Sequence, residues 1–170
     1  MKVESGASRV APAAEMRRVL GTFVSGVTIV TGTTGDGPVG FACQSFASVS
    51  LDPPLVLFCA AHTSRSWPKI RATGSFVVNV LAEDQAEVCS VFATAGIDRF
   101  AGLSWHHTPW GPALEDVLAS VMCDIEAVHP AGDHDVVIGH VRQLVTSREH
   151  GPLVYFRGAF GLDPAVTGDG

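Results

Sequence analysis

Between Gly37 and Cys59 the chain reads GPVGFACQSFASVSLDPPLVLFC, an apolar run broken by the amide of Gln44 and the hydroxyls of Ser45, Ser48 and Ser50. Buried amides and hydroxyls cost free energy unless they are hydrogen-bonded. A strand that served packing alone would be filled with Val, Ile and Leu, so these groups call for a partner. A flat, polar ring is such a partner. A few residues on, HTSRSW sets Arg65 between Ser64 and Ser66 where a helix is expected to begin. Backbone N–H groups, hydroxyls and one guanidinium there can hold a phosphate. Taken alone, a serine cap beside a solvated arginine explains that segment as well. Taken together, the two stretches point to an anionic ligand that carries a flat polar ring.

Other chemistries fail on their surroundings. GDGPVG, Gly35 to Gly40, has the glycine spacing of a dinucleotide fingerprint, but that fingerprint must open a helix. Here Pro38 and strand-like residues follow, so a hairpin turn accounts for the glycines. Of the seven histidines, His106 and His107 are adjacent and would point apart in a strand. His129, His134 and His140 surround one expected hairpin without a thiolate or carboxylate at ligand spacing, so no metal site is expected. There is no G-x-S-x-G elbow and no cysteine in a nucleophile setting. The four cysteines, Cys43, Cys59, Cys89 and Cys123, are irregularly spaced and read as free thiols of a reducing compartment. A net charge of −6 argues against a nucleic-acid partner. No apolar run approaches the roughly 20 residues that span a bilayer, and residues 1–18 lack the apolar core of a secretory signal.

The elements that would position these residues follow from periodicity and punctuation. PAAEMRRVLGTF is a helix, with Pro12 opening it and Met16, Val19, Leu20 and Phe23 at helical spacing. VTIVTG, VGFACQSF, LVLFCAA, SFVVNVL, ASVMCDIEAVH, DVVIGHVRQLVT and PLVYFRG are strands. TTGDG and PAGDH connect hairpins, and SLDPP is a corner between strands, since its prolines cannot donate to a ladder. SRSWPKIRATG and EDQAEVCSVFA are short helices, the first stopped by Gly74. TAGIDRFAGLSWHHTPWGPAL is expected to be a long surface loop. About seven strands with few helices predict a small antiparallel barrel or sandwich. At 46% hydrophobic residues and 170 in length, one domain is expected, residues 13–163, between flexible tails 1–12 and 164–170. The apolar content also points to surface hidden in an oligomer.

The motifs FVSGVTIVT, GPVGFACQSFASVSLDPPLVLFC, SRSWPKI, FVVNVLAEDQ, DRFAG, GDHDVVIGHV and PLVYFRG together resemble the short-chain flavin reductases of the FMN-binding split-barrel type. These are the reductase components of two-component flavin-dependent monooxygenases. The resemblance runs from about Met16 to Leu162. It implies a mainly β Greek-key split barrel with peripheral helices, assembled as a homodimer whose site is completed across the interface. It places Pro38, Gly40, Phe41, Ala42, Gln44 and Ser45 along the flavin ring edge. Cys59, Ala60 and Ala61 would lie by the ribityl chain, and Arg65, Ser66 and Arg99 by the phosphates. NADH would meet His134, Tyr155, Phe156 and Arg157, with His134 positioning the nicotinamide. Hydride must then pass from nicotinamide C4 to flavin N5 across about 3–3.5 Å, and the cofactor, not a strong protein acid or base, carries the reaction.

The function expected is an NADH-dependent, cytoplasmic flavin reductase that prefers FAD over FMN. It would supply free FADH2 to a partner monooxygenase. The competing expectations are a split-barrel oxidase that keeps its flavin and a non-enzymatic flavin-binding module.

Overall fold

The structure is a computed structural model that describes residues 11–162. Nearly all of the two expected tails lies outside them. Helix α1, Ala13–Leu20, starts one residue after Pro12 and stops at Gly21, shorter than its apolar spacing predicts. None of its residues is buried, and Met16, Val19, Leu20 and the nearby Phe23 stay exposed. Its apolar stripe therefore has no partner within one copy of the described residues.

Strands β1 (Ser25–Gly26), β2 (Thr28–Thr34) and β3 (Gly37–Cys43) follow. The glycine-rich segment is the turn of the β2–β3 hairpin, where Gly37 takes a positive φ of 117°. Next come β4 (Ala47–Leu51) and β5 (Pro54–Ala61), paired across Asp52 and a cis Pro53. Residues 47–51, expected to belong partly to a corner, are thus a strand. Helix α2 (Trp67–Thr73) ends at Gly74, which adopts the left-handed conformation that favours glycine. After β6 (Ser75–Val80) and α3 (Ala86–Ala93), the expected surface loop instead contains β7 (Trp105–Thr108) and β8 (Gly111–Leu114). All four residues of β8 are buried. The turn residues on either side hid this hairpin. The long hairpin β9 (Ala119–Ala131) and β10 (His134–Thr146) precedes β11 (Val154–Phe156) and β12 (Ala159–Phe160).

Seven strands form one antiparallel sheet in the order β3-β2-β6-β9-β10-β5-β4. The sheet curls into a barrel, mainly β as expected, with β3 brought against β5 but not laddered to it. At that seam Ser45 Oγ accepts from the Cys59 N–H (2.8 Å) and donates to the Cys59 carbonyl (3.2 Å). Inside, Phe58 meets Phe76 and Trp67 edge-on at 5.0 and 5.7 Å, and Phe41 at 6.0 Å. A second cluster, including Ile29, Leu81, Phe92 and Phe100, packs α3 and the following segment on the other face of β2. Covered on both sides, β2 reads as a continuous buried run rather than an alternation. Buried Asn79 ties the layers together. Its Oδ1 accepts from the Leu114 N–H and Ser120, and its Nδ2 donates to Ile29 and Thr31.

Candidate functional site

A cleft of about 770 Å³ opens on the outside of the barrel, at the seam between β3 and β5. Strand alternation decides which residues reach it. On β5, Val56, Phe58 and Ala60 turn into the core while Cys59 and Ala61 face the cleft. Paired beside Ala61 and on the same face, His134 opens β10 at the cleft mouth. Across the seam lie Phe41, Ala42, Gln44 and Ser45. Helix α3 supplies the back wall through Cys89, Phe92 and Ala93, and Tyr155 and Phe160 form an edge-on aromatic pair at the rim.

The β3 edge facing the cleft has no strand partner. The Gly40 carbonyl lies on this edge, accepting from Ser66 Oγ (2.8 Å) and Arg99 (2.7 Å). Alternation puts the N–H and C=O of Ala42 on the same edge, where they are free to meet a planar ligand. The Gln44 amide is exposed, and among the described residues its hydrogen bond is the one its Oε1 accepts from Ser25 Oγ, at 3.5 Å. Ser45 is engaged with Cys59 through both of its roles, and Cys43 Sγ lies 3.3 Å from its hydroxyl, so Ser45 shapes the seam and is spent on the protein.

At the far end, Ser64 Oγ accepts from the Trp67 N–H, and Arg65 projects into solvent without a hydrogen bond or ion pair among the described residues. Ser66 holds the N-cap position of α2 without a capping bond from its side chain, and the capping hydroxyl is that of Ser64. Ser66 is buried and bonded to Gly40 and Arg99. Arg99 also donates to the Thr94 carbonyl, so much of its guanidinium is spent on the protein. Pro38, Gly40 and Ser66 line a second, smaller hollow of about 250 Å³, and Arg65 and Arg99 border both. His134 Nδ1 lies 2.7 Å from Asp133, and this bond holds the Asp133 carboxyl below the usual carboxylate range. An ionised carboxylate only accepts, so Nδ1 donates and Nε2 is left for a ligand.

Of the expected site residues, the cleft gathers Phe41, Ala42, Gln44, Ser45, Cys59, Ala61, Arg65, Arg99, His134 and Tyr155. Pro38, Gly40 and Ser66 line the second hollow instead, and three line neither. Ala60 is fully buried because alternation turns it inward. Phe156 alternates away from Tyr155 and lies under the Arg157 guanidinium, 5.1 Å from its ring centroid. Arg157 itself sits at a positive φ in the turn that follows. Ser64, read with Arg65 as part of a phosphate cradle, lines the cleft, whereas sequence reasoning missed Thr63, Phe160 and the α3 wall. Cys89 and Phe92 signalled only a buried helix face.

Among the described residues no group of three His, Cys, Asp or Glu side chains could hold a metal ion. The donor set fits a flavin: a free peptide edge and an amide for a polar ring, small Ala42 and Ala61 for close approach, and an uncommitted arginine for phosphate. Residues 20–161 match the model of a family described as the flavin reductase like domain. The chain is 52% identical over 154 residues to the reductase subunit HsaB of a flavin-dependent monooxygenase from Rhodococcus jostii, covering 89% of this chain and 78% of that protein. A solved structure of nitrilotriacetate monooxygenase component B, from Mycobacterium thermoresistibile, superposes with a TM-score of 0.84 at 46% identity, covering 89% and 87% of the two chains. An NADH:FAD oxidoreductase of Streptomyces globisporus, solved with NAD and FAD fragments, is similar at a TM-score of 0.84 and 31% identity, over 93% and 98%.

Proposed function

The chain belongs to the flavin reductase-like family, and on that premise we propose how its own residues carry the work of an NADH-dependent flavin reductase supplying a monooxygenase. It is an oxidoreductase. The observation that carries the reading is that one cleft joins an unpaired strand edge, a free arginine and a histidine at the mouth. Bound flavin supplies the hydride acceptor and NADH the hydride.

The peptide groups of Ala42 and the amide of Gln44 orient the ring edge. Arg65, with the Ser64 region, holds the phosphate end. The dry back wall of Cys89, Phe92 and Ala93 keeps water from one face. His134, steadied by Asp133, offers Nε2 to orient the nicotinamide on the other, and Tyr155 and Phe160 bound that side. A preference for FAD is supported by the second hollow, which continues from the shared Arg65 and Arg99 and has room beyond the phosphates. Exposed apolar side chains on α1, β4 and β10, including Leu20, Leu51 and Leu144, support a homodimer.

Residues 13–163 are read as one domain. The cytoplasmic reading rests on free cysteines, and no described helix is long and apolar enough to cross a membrane.

The test is to mix the purified protein with NADH and catalytic FAD or FMN in air and follow NADH absorbance. Sustained loss that requires added flavin supports the reductase. Turnover by a yellow protein without added flavin would identify an oxidase, and no turnover would leave a binding module.

A further inference from the structure

One buried carboxylate takes no part in the chemistry above. Asp135, on β10, is only 6% exposed, at an inward-facing position of the kind Val137 fills two residues on. Its Oδ2 accepts from Trp67 Nε1 at 2.8 Å and its Oδ1 from His62 Nε2 at 3.1 Å, with Arg71 3.6 Å from Oδ2. A carboxylate in a barrel interior is costly unless such donors surround it. His62 and Trp67 bracket the segment that carries Thr63, Ser64 and Arg65 into the cleft. Two further bonds fold that segment: the His62 N–H to the Asp133 carbonyl and the Ser64 N–H to the Ala61 carbonyl. Both ends of the segment are therefore pinned to one side chain.

We propose that Asp135 is a positioning residue that braces the His62–Trp67 loop so that Arg65 and its neighbouring backbone meet the flavin phosphate in fixed geometry. The inference rests on the phosphate reading given above. Its energetic sense is preorganisation: a loop held before the ligand arrives does not have to be ordered by it. The brace acts chiefly on the phosphate end, because the β3 edge is laddered to β2, and Ser66, the residue of this loop that bonds the Gly40 carbonyl, belongs to that end.

The experiment compares the affinities of FMN and riboflavin, which differ only in the phosphate, by quenching of flavin fluorescence. Asp135→Asn keeps the shape but can no longer accept from both Trp67 and His62. It is expected to raise the Kd for FMN about five- to tenfold while leaving that for riboflavin within about twofold. His62→Ala, at a side chain 45% exposed and so tolerated by the fold, is expected to do the same more weakly, with His62→Gln restoring affinity through its amide donor. Hydrogen exchange of the Thr63–Ser66 amides should quicken in Asp135→Asn and His62→Ala. If Asp135→Asn does not fold, the His62 pair decides.

Equal losses for FMN and riboflavin, or an unchanged FMN Kd, overturn the brace. If the wild-type protein itself binds FMN no better than riboflavin, the phosphate reading falls, and the brace with it. A wild-type preference that survives all the variants removes only the brace.

Discussion

In the function proposed above, Arg65 would hold one ligand of the cleft and His134 would orient the other. Arg65 is the exposed guanidinium in the cleft without a protein partner among the described residues, so its loss removes a ligand contact and leaves the fold alone. Arg65→Ala should cost about 1.5–3 kcal/mol of flavin binding, raising the flavin KM about 10- to 100-fold with little change in kcat. A collapsed kcat at unchanged KM would remove Arg65 from the phosphate site. His134→Ala should instead raise the KM for NADH or slow hydride transfer, while the flavin Kd, measured without NADH, stays near wild type. Unchanged rates at both low and saturating NADH would count against it. SRSW and GDH are compact motifs that drew attention to both residues, and both line the cleft. Ala60 and Phe156 do not line the cleft because neighbours in a strand face opposite ways, and a motif does not say which face a cleft takes.

Most strands were visible from alternation and turn residues, and the helices from their caps. The exceptions have physical causes. The buried hairpin β7–β8 lies among Gly, Pro and paired histidines, a composition that reads as loop, yet it closes over Asn79 through the Leu114 N–H. Nothing local announces a contact 35 residues away. Asp135 escaped notice for the same reason, since its partners come from another element. Hydrogen bonds, first from Trp67 and then from His62, hold its carboxyl below the usual carboxylate range, against the pull of burial. A lowered carboxyl contributes stability above its unfolded value, about 3.9, and loses it as pH falls through the lower folded value. The stability gap between wild type and Asp135→Asn, read from urea unfolding, should be flat above about pH 5 and shrink below about pH 4. A gap that stays constant into acid would mean that the charge of Asp135 adds nothing.

For the molecule as a whole, the cleft is open and its phosphate end rests on few cations. This predicts micromolar flavin affinity, about −8 kcal/mol, and release within catalytic times. With the protein, FAD and NADH on one side of a dialysis membrane and an unrelated FADH2-dependent hydroxylase on the other, at limited oxygen, hydroxylated product should form in the second compartment. Product only when the two proteins are mixed would replace diffusion with handover by contact. The unpaired side of β3 has one more consequence. An open row of peptide groups is a template for any extended chain, and proteins usually blunt such rows with charge, proline or a bulge. Here Pro38 and the bonds from Ser66 and Arg99 to the Gly40 carbonyl blunt one end of the row, and the groups left open are those of Ala42, with no charge beside them on the strand. A bound ring would occupy that row as an eighth strand would, so the cofactor doubles as a guard against self-association. Concentrated protein stripped of flavin should scatter light and bind thioflavin sooner than the same protein with saturating FMN. Equal lag times would show that the row is protected some other way.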